Sequence, residues 1–473
     1  MIRKMIGGLA GIGLTLGTAT TAFAQAAMVK APDVATQATM VDKGDTTWML
    51  VSSVLVLMMS VPGLALFYGG LVRTKNMLSV LMQVFMIVSI TGLLWATYGY
   101  SLAFTGGSPF IGGFSKVMMA GVTSGTYSAT FSNNVYIPEL SYFVFQMTFA
   151  MITPALFIGA FAERIKFTPL MVFTVLWSTF AYYPIAHMVW YWAGPDFLSS
   201  QPGDWGYLYG KGALDFAGGT VVHINAGIAG LVGCLVIGPR LGFGKEATPP
   251  HSLVMTMIGA SLLWVGWFGF NAGSNLESNG VAAVAFVNTM LATCAAAVSW
   301  AVIEQIVHKK PSMLGAASGA VAGLVAITPA SGLGAPMTSI VLGLIVSPIC
   351  YFFVTTVKAK FKYDDTLDVF GIHCIGGITG ALATAVVAAP NLGGQGYFDY
   401  TVFPAVAIAP EAYSISGQLM IQLQAVGVTL AWSGIVTFVL LFVLDKIMGL
   451  RPSEEVEREG LDINEHGERA YNY

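Results

Sequence analysis

Charge is what this chain has least of. Only 10% of its 473 residues are Asp, Glu, Lys or Arg, against roughly a quarter in an ordinary soluble domain, so a water-soluble globule of this size is excluded. A basic excess is missing as well. The net charge is −3, without the basic character of a nucleic-acid-binding domain, and no nucleic-acid partner is expected. Cysteine is sparse: Cys234, Cys294, Cys350 and Cys374 fall in apolar runs and make no CxxC pair, so neither a disulfide framework nor a metal knuckle is indicated. No metal or cofactor is expected, and the redox compartment stays open. What abounds is apolar sequence, 55% of residues, with 55 glycines, the composition of helices packed closely in lipid.

Arg3 and Lys4 precede an apolar run from Met5 to Leu16 that ends in small residues and Ala22-Phe23-Ala24. That pattern predicts a signal peptide over residues 1–24, followed by an external segment 25–47, a membrane domain 48–450 and a cytoplasmic tail 451–473. At about 20 apolar residues per crossing, spans are expected near 48–70, 77–104, 139–161, 168–192, 215–238, 252–274, 281–307, 313–329, 335–357, 367–389 and 417–446. The expected fold is an all-α polytopic membrane protein of eleven helices. Basic residues follow the odd-numbered spans: Arg73 and Lys75, Arg164 and Lys166, Arg240 and Lys245, Lys309 and Lys310, Lys358, Lys360 and Lys362, Lys446 and Arg451. The opposite loops carry only Lys116 and Lys211. The positive-inside rule then places the mature N-terminus outside and the C-terminus inside, as a signal peptide also requires. The long exterior loops 105–138, 193–214 and 390–416 are expected to form an ordered outer surface.

Polar residues inside spans are costly and mark functional positions. In the fifth span His223 follows Asp215 by eight positions, and in the tenth His373 follows Asp365 at the same separation. The two spans run in opposite directions, so each imidazole lies about 12 Å deeper than its carboxylate at about 1.5 Å rise per residue, near the midplane. Spans one to five and six to ten thus read as a five-plus-five inverted repeat, whose interface is the expected place for a substrate pathway. The opening helices of the halves share a glycine and aromatic texture, Pro62 to Gly70 and Gly266 to Ser274, which packing alone also explains. Interhelical hydrogen bonding is the competing account of the histidines.

The chain resembles the ammonium transporter (Amt/Mep/Rh) family, most closely its bacterial Amt members. The resemblance is carried by Phe67-Tyr-Gly-Gly-Leu71, Gly159-Ala-Phe-Ala-Glu-Arg164, Pro184-Ile-Ala-His-Met-Val-Trp190, Ala213 through Asn225, Gly266-Trp-Phe-Gly-Phe-Asn-Ala-Gly-Ser274, Asp368-Val-Phe-Gly-Ile-His373 and Glu457-Arg-Glu-Gly-Leu-Asp462. It implies a homotrimer in the bacterial inner membrane, with one pore per subunit, that takes up ammonium for nitrogen supply. It also implies an external substrate site at Phe149, Trp190 and Ser274, a gate of Phe149 and Phe270, and pore histidines His223 and His373. Asp215 and Asp365 are expected to be structural or electrostatic, and Asp368 an additional helix cap. The resemblance further implies that the tail meets a cytoplasmic PII-type signal protein (GlnK). A charged tail is expected to pack against the loops bearing Arg73, Lys75, Arg164, Lys166 and Lys358. The segment from Tyr191 to Gly212 is longer than in compact bacterial members.

Physical reasons accompany these roles. An aromatic face attracts a compact cation, and a hydroxyl can accept one of its hydrogen bonds. A charge at the bilayer centre costs at least about 2.5–3.5 kcal/mol, so ammonium is expected to lose its proton before or within the narrow apolar section. Trp190 also fits an interfacial belt, and the two phenylalanines fit ordinary packing. Other functional readings are a sensor, a membrane redox protein with His223 and His373 as haem ligands, and a non-selective channel.

Overall fold

The computed structural model describes residues 32–196, 205–399 and 406–471. The signal peptide expected over 1–24 and the beginning of segment 25–47 lie outside the described residues. Among the described residues, eleven helical segments are long and apolar enough to cross a membrane: Lys43–Leu71, Thr74–Phe104, Glu139–Phe161, Phe167–Trp190, Gly219–Ile237, Leu253–Gly273, Gly280–His308, Met313–Ala330, Pro336–Phe361, Phe370–Val387 and Ile415–Met448. The protein is an all-α polytopic membrane protein, as its composition requires, because in lipid the backbone must satisfy its hydrogen bonds within the segment.

Side-chain caps set several borders. Asp42 accepts the Asp45 N–H at 2.9 Å and starts the first span at Lys43 rather than near 48. Asn279, Ser312 and Ser414 accept backbone N–H groups at the starts of the seventh, eighth and eleventh spans, each supplying an acceptor to the orphan donors of a first turn. The fifth span begins at Gly219 and the tenth at Phe370, not near 215 and 367, because each Asp stands ahead of the helix it serves.

The fifth and tenth spans approach each other through glycine. A Cβ on Gly227 would lie 2.4 Å from the Cys374 amide nitrogen, and one on Gly377 would lie 3.0 Å from the Gly219 carbonyl oxygen. At Gly227 a larger residue would force the backbones apart, and at Gly377 it would fit only tightly, which is the small-residue logic of membrane helix contacts. Both crossings begin in wide π-helical turns, Gly219–Ile224 and Phe370–Cys374, and each turn contains a histidine.

On the face opposite the tail, β1 (Tyr127–Ala129) and β2 (Tyr136–Pro138) form an antiparallel hairpin that leads directly into the third span. Segments 197–204 and 400–405 of the long loops lie outside the described residues.

On the tail face, buried ion pairs tie the loops together. Arg73 Nη2 lies 2.8 Å from Glu163 Oε2, and Arg240 Nη2 lies 2.8 Å from Asp364 Oδ1. Burial acts to raise both carboxyls, but Arg73 and Arg240 beside Glu163, and Arg240 and Arg164 around Asp364, hold them below the usual range. The tail is folded against this face as two short helices, Glu454–Glu459 and Leu461–His466. The Asp462 carboxylate receives the Ser79 and Leu78 N–H groups at 2.8 and 3.0 Å, so a residue of the tail caps the second span. Glu457 pairs with Arg451 at 2.7 Å and accepts the Leu241 N–H at 3.0 Å.

The tail packs, as expected, against the loops bearing Arg73 and Lys75 and Arg164 and Lys166, but not every cation of those loops takes part. Lys75 does donate to the Glu457 and Arg458 carbonyls, and Phe167, next to Lys166, donates its N–H to Glu465 at 3.2 Å. Arg73, however, is paired with Glu163, Arg164 donates to Gly238 and Thr366, and Lys358 donates to the Asp365 carbonyl and Asp368. Those three cations are engaged within the membrane domain itself, and docking of the tail rests mainly on hydrogen bonds between backbone groups and the side chains of Asp462, Glu465, Glu457 and Asn76.

Candidate functional site

A column of rings runs from the end of the fourth span into the bundle. Trp190 meets Phe149 edge-on, with centroids 5.7 Å apart at 87°. Phe149 stacks on Phe270 at 4.3 Å and 29°, and both are buried. Ser274 sits one turn beyond Phe270 and donates its hydroxyl proton to the Phe270 carbonyl at 2.8 Å, which leaves its oxygen able to accept a hydrogen bond. Behind Phe270, Trp267 lies against His223 with centroids 5.2 Å apart at 19°.

Beside Phe270 is a cavity of about 10 Å³ lined by His223, His373, Trp267, Phe270, Phe67 and apolar side chains, room for about one water-sized molecule. Trp267 donates its indole N–H away from it, to Thr328 Oγ1 at 2.9 Å. The two imidazoles supply the remaining nitrogen atoms. They face each other Nδ1 to Nδ1 at 3.2 Å, and His223 Nε2 has no hydrogen-bond partner. Such a contact needs one protonated and one bare Nδ1. The pair can therefore be neutral or singly charged, and its two Nε2 atoms offer one donor and one acceptor when it is neutral.

Asp215 lies just outside the fifth span. Its carboxylate accepts from the Gly218 N–H at 3.1 Å and from the Thr220 and Val221 N–H groups at 3.0 Å each, while its carbonyl accepts the Trp190 indole N–H at 2.8 Å. Burial pushes this carboxyl up to about 6 against the opposing N–H bonds. Asp365 has the related position ahead of the tenth span, accepting from the Phe370 N–H at 2.7 Å with Oδ1 unpartnered. Burial raises it to about 6, with the Lys358 ammonium acting in the other direction. Asp368 is not the additional cap that was expected: its backbone is left-handed at φ 60° and its carboxylate binds Lys358 at 2.6 Å.

Residues 47–471 match the model of the Ammonium Transporter Family. The chain belongs to the ammonium transporter family. Among its relatives, an ammonium transporter of Bacillus subtilis (strain 168) is 43% identical over 433 residues, covering 90% of this chain and 98% of that protein. One from Aquifex aeolicus (strain VF5) is 46% identical over 433 residues, covering 91% and 94%. The crystal structure of Candida albicans Mep2 superposes with a TM-score of 0.76 at 32% identity, covering 90% of this chain and 89% of that one. A structure described as a sensor Amt protein superposes with a TM-score of 0.78 at 26% identity, covering 89% and 98%.

This ammonium transporter brings together Trp190, Phe149, Phe270, His223 and His373 in one continuous column, with Ser274 on the same helix as Phe270. Asp365 stands apart from the mouth, on the tail face. Sequence reasoning assigned no role to Trp267, although its place three residues before Phe270 puts it on the same helical face. It also passed over His187, whose ring nitrogens lie 2.9 Å from the Ala103 carbonyl and 2.8 Å from that of Ser108. These contacts anchor the end of the fourth span, three residues before Trp190, and nothing in the local sequence signals them.

Proposed function

We propose that this ammonium transporter recruits ammonium at an external site of Phe149, Trp190 and Ser274, removes its proton, and conducts ammonia past the Phe149 and Phe270 gate along His223 and His373. One observation carries the reading: a buried stacked Phe pair separates a cation-compatible aromatic mouth from an apolar cavity of about 10 Å³ whose lining includes a directly bonded imidazole pair. The mouth suits a cation and the cavity suits a neutral molecule, since a charge there has few compensating dipoles. The proton leaves near Asp215, where a buried carboxylate adds negative potential behind the Trp190 indole.

The same reading extends to assembly and address. The chain works as a homotrimer in the bacterial inner membrane, with surrounding lipid on its outer helices, a removed signal peptide, a periplasmic mature N-terminus and a cytoplasmic tail. The tail contacts a PII-type signal protein (GlnK), and its docked position next to the loops of the pore domain supports a regulatory role. The activity is transport and not catalysis. Paired flux and current measurements in proteoliposomes under an ammonium gradient test the conduction claim. Ammonium-dependent uptake is expected, and its absence in folded protein would overturn it in favour of sensing.

A further inference from the structure

The three residues of the proposed recruitment site come from three different helices: Phe149 from the third span, Trp190 from the end of the fourth and Ser274 from the end of the sixth. Beyond the ring contacts of Trp190, Phe149 and Phe270, a link outside the bilayer can fix the separation of these helix ends. The tip of the β1–β2 hairpin does so, residue by residue. Phe131 stacks on Trp192 with centroids 5.9 Å apart at 16°. Ser132 donates its backbone N–H and its hydroxyl to the two oxygens of Glu277, each at 2.9 Å. Asn133 donates its side-chain amide to Asp196 at 3.1 Å, and Asn134 donates its backbone N–H at 3.0 Å. Trp192 and Asp196 lie just beyond Trp190, and Glu277 lies three residues beyond Ser274. Strand β2 runs without a break into the helix that bears Phe149.

Both receiving carboxylates are buried, Asp196 at 3% and Glu277 at 6% exposure, and among the described residues neither forms an ion pair. Their donors are neutral amide and hydroxyl groups, and the hairpin supplies most of them: Ser132 twice to Glu277, Asn133 and Asn134 to Asp196. The Glu277 side is stiff in its own right. Asn279 donates to Glu277 Oε2 at 2.8 Å and caps the seventh span, and Asn275 donates to the Glu277 carbonyl at 2.9 Å. The Trp190 side is pinned by the Gly206 N–H on the Tyr191 carbonyl at 2.8 Å.

We infer that Glu277 and Asp196 are positioning residues for ammonium recruitment, holding the hairpin tip as a clamp that sets the separation of Phe149, Trp190 and Ser274. The inference rests on the recruitment reading above. Neither carboxylate touches the substrate. A small displacement of one aromatic or hydroxyl partner weakens a geometry-dependent site, whereas the pore below the Phe pair is held by its own packing and is left as it was.

The test uses Glu277→Gln, Asp196→Asn and the double variant in the full-length protein in proteoliposomes, with Trp190→Leu and Ser274→Ala measured beside them. Each single clamp variant is expected to raise the half-saturating ammonium concentration by about threefold or more while maximal flux stays within about twofold, the split that marks lost binding geometry. The double variant is expected to fall short of the product of the singles, because both act through one hairpin. Glu277→Asp, which keeps the acceptor, should recover part of the loss. Unchanged half-saturation in folded clamp variants, while Trp190→Leu and Ser274→Ala shift it, overturns the clamp. An effect of Glu277→Gln that vanishes at high ionic strength also overturns it, by assigning the residue to long-range charge. If Trp190→Leu and Ser274→Ala leave half-saturation unchanged, the recruitment reading itself fails.

Discussion

The indole N–H of Trp190 donates to the backbone carbonyl of Asp215 at 2.8 Å, and the carboxylate of that same Asp215 receives the first N–H groups of the helix leading to His223. One residue therefore sets both the angle of the ring at the mouth and the start of the helix that carries a pore histidine. Its chemistry divides cleanly, with the main chain fixing the tryptophan and the side chain fixing the helix.

Asp215 gives a pH signature. Its folded value is raised from 3.8 to about 6 by burial, so protonation favours the folded state. Its stabilising contribution is complete below 3.8 and is lost as pH rises through about 6. Asp215→Asn should flatten this part of the pH dependence of thermal unfolding. Apparent ammonium affinity of the unaltered protein should fall as pH drops through about 6 and the negative charge behind Trp190 disappears. A wild-type-like titration in the Asn variant would assign the transition elsewhere.

Trp190→Leu keeps apolar bulk and deletes the quadrupole. A cation over an aromatic face is worth about 0.5–2 kcal/mol, which is about 2- to 30-fold in apparent affinity. Flux at high ammonium should persist, and competition by other small cations should change. Concentration-dependent uptake measures both, and an unmoved curve would return Trp190 to an interfacial belt.

His223→Ala and His373→Ala each remove one member of the Nδ1 to Nδ1 contact and leave the other imidazole without its partner in an apolar cavity. Ammonium flux or its coupled current should change while the oligomer stays assembled. An acidic replacement at either position should retain flux with altered ion selectivity. Paired flux and current recordings decide it: two alanine variants with unchanged rate, current and selectivity would remove the histidines from the pathway.

Gly227→Val tests the helix crossing. A Cβ there lies 2.4 Å from the Cys374 nitrogen, so the fifth and tenth spans must move apart, at a cost of about 1–3 kcal/mol for overpacking. Thermal unfolding in detergent should shift downward and flux should fall with it. A variant with wild-type stability would mean that the crossing can shift without penalty.

The tail offers a separate test. Asp462→Ala removes the acceptor for Ser79 and Leu78, a cap worth about 0.5–2 kcal/mol, and should make residues beyond Arg451 more sensitive to limited proteolysis. On the proposed reading, truncation after Arg451 should alter flux and abolish binding of a PII-type protein while the size of the assembly is unchanged. Wild-type flux, together with no PII binding by the full-length chain, would reduce the tail to a solubilising end.

The fold class was legible because the bilayer imposes one rule along the whole chain: apolar runs of spanning length must be helices, so the eleven spans follow from hydropathy. His223 and His373 were legible for a related reason, since polar residues are rare at that depth and their equal distance from Asp215 and Asp365 repeats across the halves. Phe149 and Phe270 carry no such signal, because phenylalanine in a membrane helix is ordinary, and only packing puts them 4.3 Å apart. The starts of the fifth and tenth spans were misplaced because a carboxylate can cap a helix from several residues ahead of it, which hydropathy does not register. The loops that receive the tail were legible from their charge, but not which cations take part, because sequence does not say which are already engaged: Arg73, Arg164 and Lys358 bind groups within the membrane domain. Local sequence thus determines what each segment is, through the energetics of lipid and backbone. Only the tertiary structure decides which distant groups meet, because hydrogen bonds, ring stacking and the glycine crossing depend on distances of a few ångströms between residues far apart in the chain.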